Sequence, residues 1–256
     1  MARVCVITGA SSGIGASLAR KLSELGAHCI LLARREELLA ELAAETGSEY
    51  EVCDVAERDQ VDAAAARIAE RHPAVHLLVN NAGIAGRGEF TDIGAERIEQ
   101  VCRVNYLGSV WSLLAFLPLL EAGAPSDVAN VVSVAGTVAG GAGGPYSAAK
   151  HAQIAFSRST SVELAPRGIR VHTINPGFAH TEGFPQDRFL ENPIARHFVL
   201  SAEDCAEAVI DAVVRNRREV FVPPFYRVPA ALQGTVPATF QRVLSVWSRR
   251  TGKDGA

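Results

Sequence analysis

Two residues four positions apart carry the strongest chemical signal in the chain: Tyr146 and Lys150, in the stretch PYSAAK. On a helix, positions i and i+4 share a face, so a phenol and an ammonium converge on one point. A phenol titrates near 10 and is a poor proton carrier at neutral pH, but a neighbouring cation favours the phenolate. The pair therefore reads as an acid–base group with its own tuning charge. Thirteen residues upstream of the tyrosine, Ser133 lies at the end of an apolar run in NVVSVAG. Between them AGTVAGGAGGP holds five glycines, suited to folding tightly over a ligand. Separately these are a helix-surface pair and a strand-end turn residue; together they form a constellation for proton transfer.

A second cluster lies near the start of the chain. After the apolar run Val4 to Thr8 comes TGASSGIG, with glycines at 9, 13 and 15 and a helical pattern beginning inside it. Gly9 permits a tight turn, Gly13 lets backbone approach a pyrophosphate, and Gly15 lets the new helix pack closely. Ser11, Ser12 and Ile14 complete the loop. A helix N-terminus at this place offers free N–H groups and a positive dipole to phosphates. The strand–loop–helix context is what a dinucleotide fingerprint requires.

These groups need a scaffold, and the periodicity supplies one. Strand-like runs at Val4 to Thr8, Cys29 to Leu32, Glu49 to Cys53, Val75 to Val79, Val128 to Val134, Ile169 to Ile174 and Val220 to Val222 alternate with helical patterns. The helices fall near 13–25, 35–46, 57–71, 95–120, 146–165 and 202–216. Ser201 and Asp204 make a capping box before the last of these. Such alternation implies an α/β fold with a parallel sheet, and ligands then bind beyond the carboxyl ends of the strands. No internal repeat or interdomain linker interrupts the pattern, so all 256 residues are expected to form one domain. Two irregular regions remain, a loop at about 178–200 and an extension at about 223–256.

Composition narrows the function classes. A net charge of -3 without a basic stripe argues against a nucleic-acid binder. The first strand begins by Val4, which is read as leaving no room for a signal peptide, and no run of 18 apolar residues is present. Five cysteines without a C-x-x-C pair suggest neither a disulfide framework nor a zinc site, and point to a reducing, cytoplasmic setting. No metal is expected. His72 and His76 have helical metal spacing, but Pro73 lies between them, so both are read as solvated loop-end residues.

In their order along the chain these motifs resemble the short-chain dehydrogenase/reductase family, from residue 3 to about residue 183. T-G-x-x-x-G-x-G is matched by Thr8 to Gly15, N-N-A-G by Asn80 to Gly83, and Y-x-x-x-K by Tyr146 and Lys150. The family's Asn is matched by Asn105 in RVNYLG, its Ser by Ser133, and P-G by Pro176 and Gly177, with Thr181 at the usual distance. The resemblance implies a Rossmann-type, doubly wound, seven-stranded parallel sheet flanked by helices. It also implies hydride transfer at a nicotinamide. Tyr146 is then the acid–base group and Ser133 polarises the carbonyl. Lys150 lowers the tyrosine pKa and holds the ribose, while Asn105 holds a relay water at a helix kink. Asn81, Ala82 and Gly83 would line the adenosine and ribose, and Asp54 and Val55 the adenine.

The second strand ends in Ala33, Arg34 and Arg35 where NAD-binding relatives place an acid. A guanidinium binds a 2′-phosphate that a carboxylate repels, so NADP(H) is the expected cofactor, with Arg34 favoured and Arg35 assisting. The 178–200 loop carries Phe178, Phe184, Phe189, Ile194, Phe198, Val199 and Leu200. It points to an apolar carbonyl or alcohol substrate: 3-oxoacyl, steroid-like or aromatic. His151 and His180 are possible substrate contacts. The extension departs from the family's usual ending. Its stripe of Val236, Phe240, Val243, Leu244 and Trp247 suits a partner subunit, the cleft or a membrane surface, and a homodimer or homotetramer is expected. The competing function is a non-catalytic NADP-binding sensor on the same fold, which would not need Ser133, Tyr146 and Lys150 together.

Overall fold

A computed structural model describes residues 3–86, 88, 90–140, 143–184, 191 and 195–251, with the side chains at 195, 197 and 247–251 outside the description. Seven strands form one sheet: β1 Val4–Thr8, β2 His28–Ala33, β3 Glu49–Val52, β4 Leu77–Asn80, β5 Ser126–Val131, β6 Ile169–Pro176 and β7 Glu219–Val222. Every pairing is parallel, in the order β3-β2-β1-β4-β5-β6-β7. The helices are α1 Gly13–Glu24, α2 Glu36–Thr46, α3 Arg58–Arg71, α4 Ala95–Cys102, α5 Gly108–Ala122, α6 Gly144–Glu163, α7 Ala202–Val214, α8 Arg227–Thr235 and α9 Pro237–Thr251.

The uniform apolarity of β1 and β2 has a direct physical cause. Val6, Ile7, Ile30, Leu31 and Leu32 expose no surface, because helices cover both sheet faces. One core packs α1, α2 and α7 on the sheet through Leu18, Leu39 and Val209. The other packs α3 and α5 through Ile68 and Phe116. The strand order reverses between β1 and β4, and a crevice opens there at the carboxyl ends. Ser201 and Asp204 form the expected capping box of α7.

The bounds of β4 and β5 are among those that differ from expectation. β5 starts at Ser126 rather than Val128 because its polar leaders are satisfied internally. Ser126 donates to Leu120 O at 2.7 Å, and buried Asp127 accepts two 2.8 Å hydrogen bonds from Arg170. The same strand stops at Val131, leaving Ser133 in the loop beyond it. Val75 lies before β4, since its N–H donates to Leu119 O at 2.9 Å rather than to a strand.

His72 and His76 are also not simply solvated. His76 Nδ1 accepts the Val4 N–H at 3.1 Å, and His72 Nε2 lies 2.9 Å from Glu49 Oε1. The continuous helical stretch Ala95–Ala122 is long and apolar enough to cross a membrane, but half of that apolar window is buried inside the protein. Phe116 and Leu120 on it are core residues, which explains its composition without a bilayer.

The carboxy-terminal extension folds back over the cleft end of the sheet. Gln233 Oε1 accepts the Ala139 N–H at 3.0 Å, tying α8 to the glycine-rich loop after Ser133. The Tyr226 ring lies against Gly177, and Phe225 meets Phe198 edge-on at 5.7 Å. Of the stripe, Val236 and Val243 are exposed and Phe240 and Leu244 half-buried, while the Trp247 side chain lies outside the described residues. Of the 178–200 loop, residues 185–190 and 192–194, with Phe189 and Ile194, also lie outside them.

Candidate active site

Helix α6 begins at Gly144 and places Tyr146 in its first turn and Lys150 one turn later. Lys150 is 2% exposed and turns back to the sheet, donating to Val131 O at 3.0 Å and to Gln153 Oε1 at 2.8 Å. An ammonium has three donors, so one remains for a ligand. Its Nζ is 5.9 Å from the centre of the Tyr146 ring. The Ser133 hydroxyl lies near enough to the Tyr146 phenol to favour its ionised form, and Ser133 Oγ accepts the Ala135 N–H at 3.1 Å. Serine, tyrosine and lysine thus meet at one end of a cavity of about 870 Å³.

Burial governs the titration of this pair. It pushes the Tyr146 phenol up to about 12, with only partial opposition from the nearby Ser133 hydroxyl. It pulls the Lys150 ammonium down to about 7. Lys150 is expected to lower the tyrosine pKa together with an oxidised nicotinamide; in the protein alone burial dominates and raises it. At neutral pH the phenol keeps its proton and is poised to donate it. The lysine also leaves a signature in stability. Its folded pKa lies below the ordinary 10.5, so between about 7 and 10.5 the unfolded chain binds more protons and stability rises with pH. Thermal melts should show the melting temperature climbing with pH above 7. Lys150→Met should lose that rise, whatever its absolute melting temperature.

Gln153 is a positioning residue that sequence reasoning missed. It is fully buried, accepts from Lys150 and donates from Nε2 to Ser109 Oγ at 2.7 Å. Its signal was available: three residues after Lys150, it shares that helix face.

Asn105 lies where the helix pattern is broken. Residues Arg103–Leu107 form a π turn between α4 and α5, a common accompaniment of functional helix interruptions. Its side chain is fully buried, accepting the Ile84 N–H and donating to Ile84 O, both at 3.0 Å. The kink is present, but the amide group does not line the cavity. What it holds directly is Ile84, in the loop after β4 that forms part of the cavity wall.

At the other end of the cavity lies the glycine loop. Gly9 has φ +66, and a Cβ there would come within 2.7 Å of Ala82 Cα. A Cβ on Gly15 would collide with Gly9 O. The loop can therefore be built only with backbone at these places. The N-terminus of α1 has no side-chain cap and no acidic residue in its first turn. That leaves its N–H groups and positive dipole available to phosphates, so the donor set fits a dinucleotide. Thr181 packs on Gly13, and Pro176 and Gly177 line the same cavity. Asn81 lines it too, but its Nδ2 donates to Thr8 O at 3.0 Å, so its side chain braces the loop. Ala82 and Gly83 line the wall beside it, with Asp54 and Val55 beyond. Asp54 Oδ1 accepts the Ala56 N–H at 3.0 Å, an ordinary turn contact.

The two arginines, both on the cavity, point different ways. Arg34 turns to Asp54, at 3.5 Å. Arg35 reaches over the glycine loop, donating to Ser11 Oγ at 3.1 and 3.2 Å and to Ser12 Oγ at 2.6 Å. The same guanidinium pairs with Glu182 at 2.6 Å. Position in the chain favoured the residue next to the strand, but the turn into α2 aims Arg35 at the loop. Glu182 was not foreseen, because nothing local marks a loop carboxylate as the partner of a residue 147 positions earlier.

Around Tyr146 the cavity is apolar: Ile84, Val134, Phe178 and Phe184 line it, and the Phe184 ring is 5.6 Å from that of Tyr146. His151 bonds its own helix at Ser147 O, and neither it nor His180 is among the described residues lining the cavity.

With this geometry in view, the comparisons with known proteins are consistent. The short chain dehydrogenase family model matches residues 3–188. A granaticin polyketide synthase putative ketoacyl reductase of Streptomyces violaceoruber is 38% identical over 226 residues, covering 84% of this chain and 80% of that protein. A short chain dehydrogenase/reductase of Burkholderia phymatum, solved in complex with NAD, superposes with a TM-score of 0.80 at 27% identity, covering 91% and 93% of the two chains. An alcohol dehydrogenase of the archaeon Thermococcus sibiricus, complexed with 5-hydroxy-NADP, gives 0.74 at 27% identity, covering 86% and 96%.

Proposed function

The chain belongs to the short-chain dehydrogenase family, a family of nicotinamide-dependent oxidoreductases, and from that premise we propose that it is an NADP(H)-dependent reductase of an apolar ketone. The observation that carries the reading is the convergence of Ser133, Tyr146 and buried Lys150 on the apolar end of one cavity. When bound, the nicotinamide exchanges a hydride with the carbonyl carbon. Tyr146 hands its proton to the carbonyl oxygen, where negative charge develops. The Ser133 hydroxyl donates a hydrogen bond to the same oxygen. Lys150 offers its remaining N–H to the ribose and, when charged, supports the phenolate left after transfer. Asn105, through the π turn, is assigned the proton relay toward Lys150. In reverse, the same groups oxidise a secondary alcohol.

Arg35 supports the phosphorylated cofactor. Position 33 is alanine, so no carboxylate repels a 2′-phosphate, and Arg35 already converges with Ser11 and Ser12 on the loop. The substrate reading rests on the apolar lining near Tyr146, and oxoacyl thioesters and bulky aromatic or polycyclic ketones are the classes to try. The test is NADPH oxidation across such a panel; no turnover with any member would refute the proposal. The reading also includes a reducing cytoplasmic setting, in keeping with five free cysteines, and a homo-oligomer.

Glu182 adds a specific expectation. It occupies the guanidinium that a 2′-phosphate would need, so it competes with the phosphorylated cofactor. Both partners are largely exposed, which keeps the effect small. Glu182→Gln should tighten NADPH binding by about two- to fivefold and leave NADH unchanged, by fluorescence titration.

A further inference from the structure

At the opposite, amino-terminal end of the sheet, three metal-binding side chains meet. His28 is the first residue of β2, Glu49 the first of β3, and His72 follows α3 directly. Both imidazoles aim Nε2 at one oxygen, Glu49 Oε1, from 2.8 and 2.9 Å. Their rings lie 5.1 Å apart, and the ligand atoms of all three residues fall within 4.8 Å of one another. All three residues are half-buried, so the cluster is ordered by its surroundings while one side faces solvent.

Two imidazoles and a carboxylate are borderline ligands that favour zinc and its transition-metal neighbours over magnesium or calcium. Zinc bonds of about 2.0–2.2 Å in a tetrahedron set ligand atoms about 3.4 Å apart. The two histidine–carboxylate distances need to widen by only about half an ångström to reach that spacing, exchanging two hydrogen bonds for three coordinate bonds. The outer contacts suit this. Arg71 Nε holds the other oxygen, Glu49 Oε2, at 2.9 Å and so orients the carboxylate. Its positive charge opposes a dication, but Glu51 pairs with Arg71 at 2.7 Å and with Arg67 at 2.7 Å, offsetting part of it.

We propose that His28, Glu49 and His72 form a structural zinc site, with solvent as the fourth ligand, that clamps edge strand β3 to β2 and α3. The ligands come from three elements spread over 45 positions, so the unfolded chain holds no such site and binding stabilises the fold. His72, set aside when its nearest sequence neighbour of the same kind was His76, finds its partners across the sheet instead.

The test uses the whole chain, stripped with chelator and titrated with zinc chloride. One equivalent should bind by calorimetry, raising the melting temperature by at least about 3 °C at saturation. His28→Asn and His72→Asn, made singly, should each abolish this binding and this shift, with ketone turnover retained. Cobalt added to the wild type should show tetrahedral nitrogen–oxygen visible bands without a thiolate charge-transfer band, a readout that needs no variant. Absence of stoichiometric binding, binding unchanged in both variants, or a thiolate band would each overturn the site.

Discussion

Tyr146→Phe should lower kcat by about 10²–10⁴-fold, the range for losing a positioned general acid, while dinucleotide affinity stays within about twofold. The substitution removes one oxygen and keeps the ring, so the 5.6 Å contact with Phe184 and the wall of the cavity survive. What disappears is the hydroxyl that lines the cavity beside Ser133 and shares a helix face with Lys150. Because the phenol is held up at about 12, it is protonated throughout the neutral range, and its loss removes the proton donor itself. Lys150 cannot substitute from where it is held, since two of its three donors are committed to Val131 and Gln153. Single-turnover measurements with NADPH and an active ketone would read the effect directly. Turnover equal to wild type would remove Tyr146 from the chemistry.

The second large effect concerns the cofactor. Arg35→Ala should raise the NADPH dissociation constant by about 10- to 150-fold, the loss expected for a charged hydrogen-bonding partner of a phosphate. NADH, without the 2′-phosphate, should change by less than about threefold. Arg34→Ala should matter less, because that guanidinium is engaged with Asp54. Adding Ala33→Asp to Arg35→Ala should reverse the preference, since a carboxylate at the end of β2 repels the phosphate and accepts from a ribose hydroxyl. Equal wild-type constants for NADPH and NADH would dismiss the phosphate role of both arginines.

Much of this molecule was legible in one dimension, and the reason differs by element. The central strands were readable because burial on both faces demands uninterrupted apolar residues, as at Ile30 to Leu32. The glycine loop was readable because few residue types tolerate φ +66 or a backbone in contact range. Tyr146 and Lys150 were readable because helix geometry brings i and i+4 together without further help. Strand β5 was misread at its start because polarity is a guide to exposure only when no partner compensates. Asp127 is fully buried on Arg170 and His172, both more than forty positions away.

The amino-acid sequence by itself determined the order of strands and helices, the glycine loop and the grouping of Ser133, Tyr146 and Lys150. Each of these depends on local geometry or on burial that leaves a periodic mark. Only the tertiary structure decided that Arg35 rather than Arg34 covers the glycine loop, that Glu182 occupies it, that Gln153 and Val131 hold the lysine, and that His28 and His72 share one carboxylate. Those are directional contacts between side chains distant in the chain or aimed by a turn. Hydrogen bonds and ion pairs of that kind leave no period in a sequence, because their partners are chosen by packing.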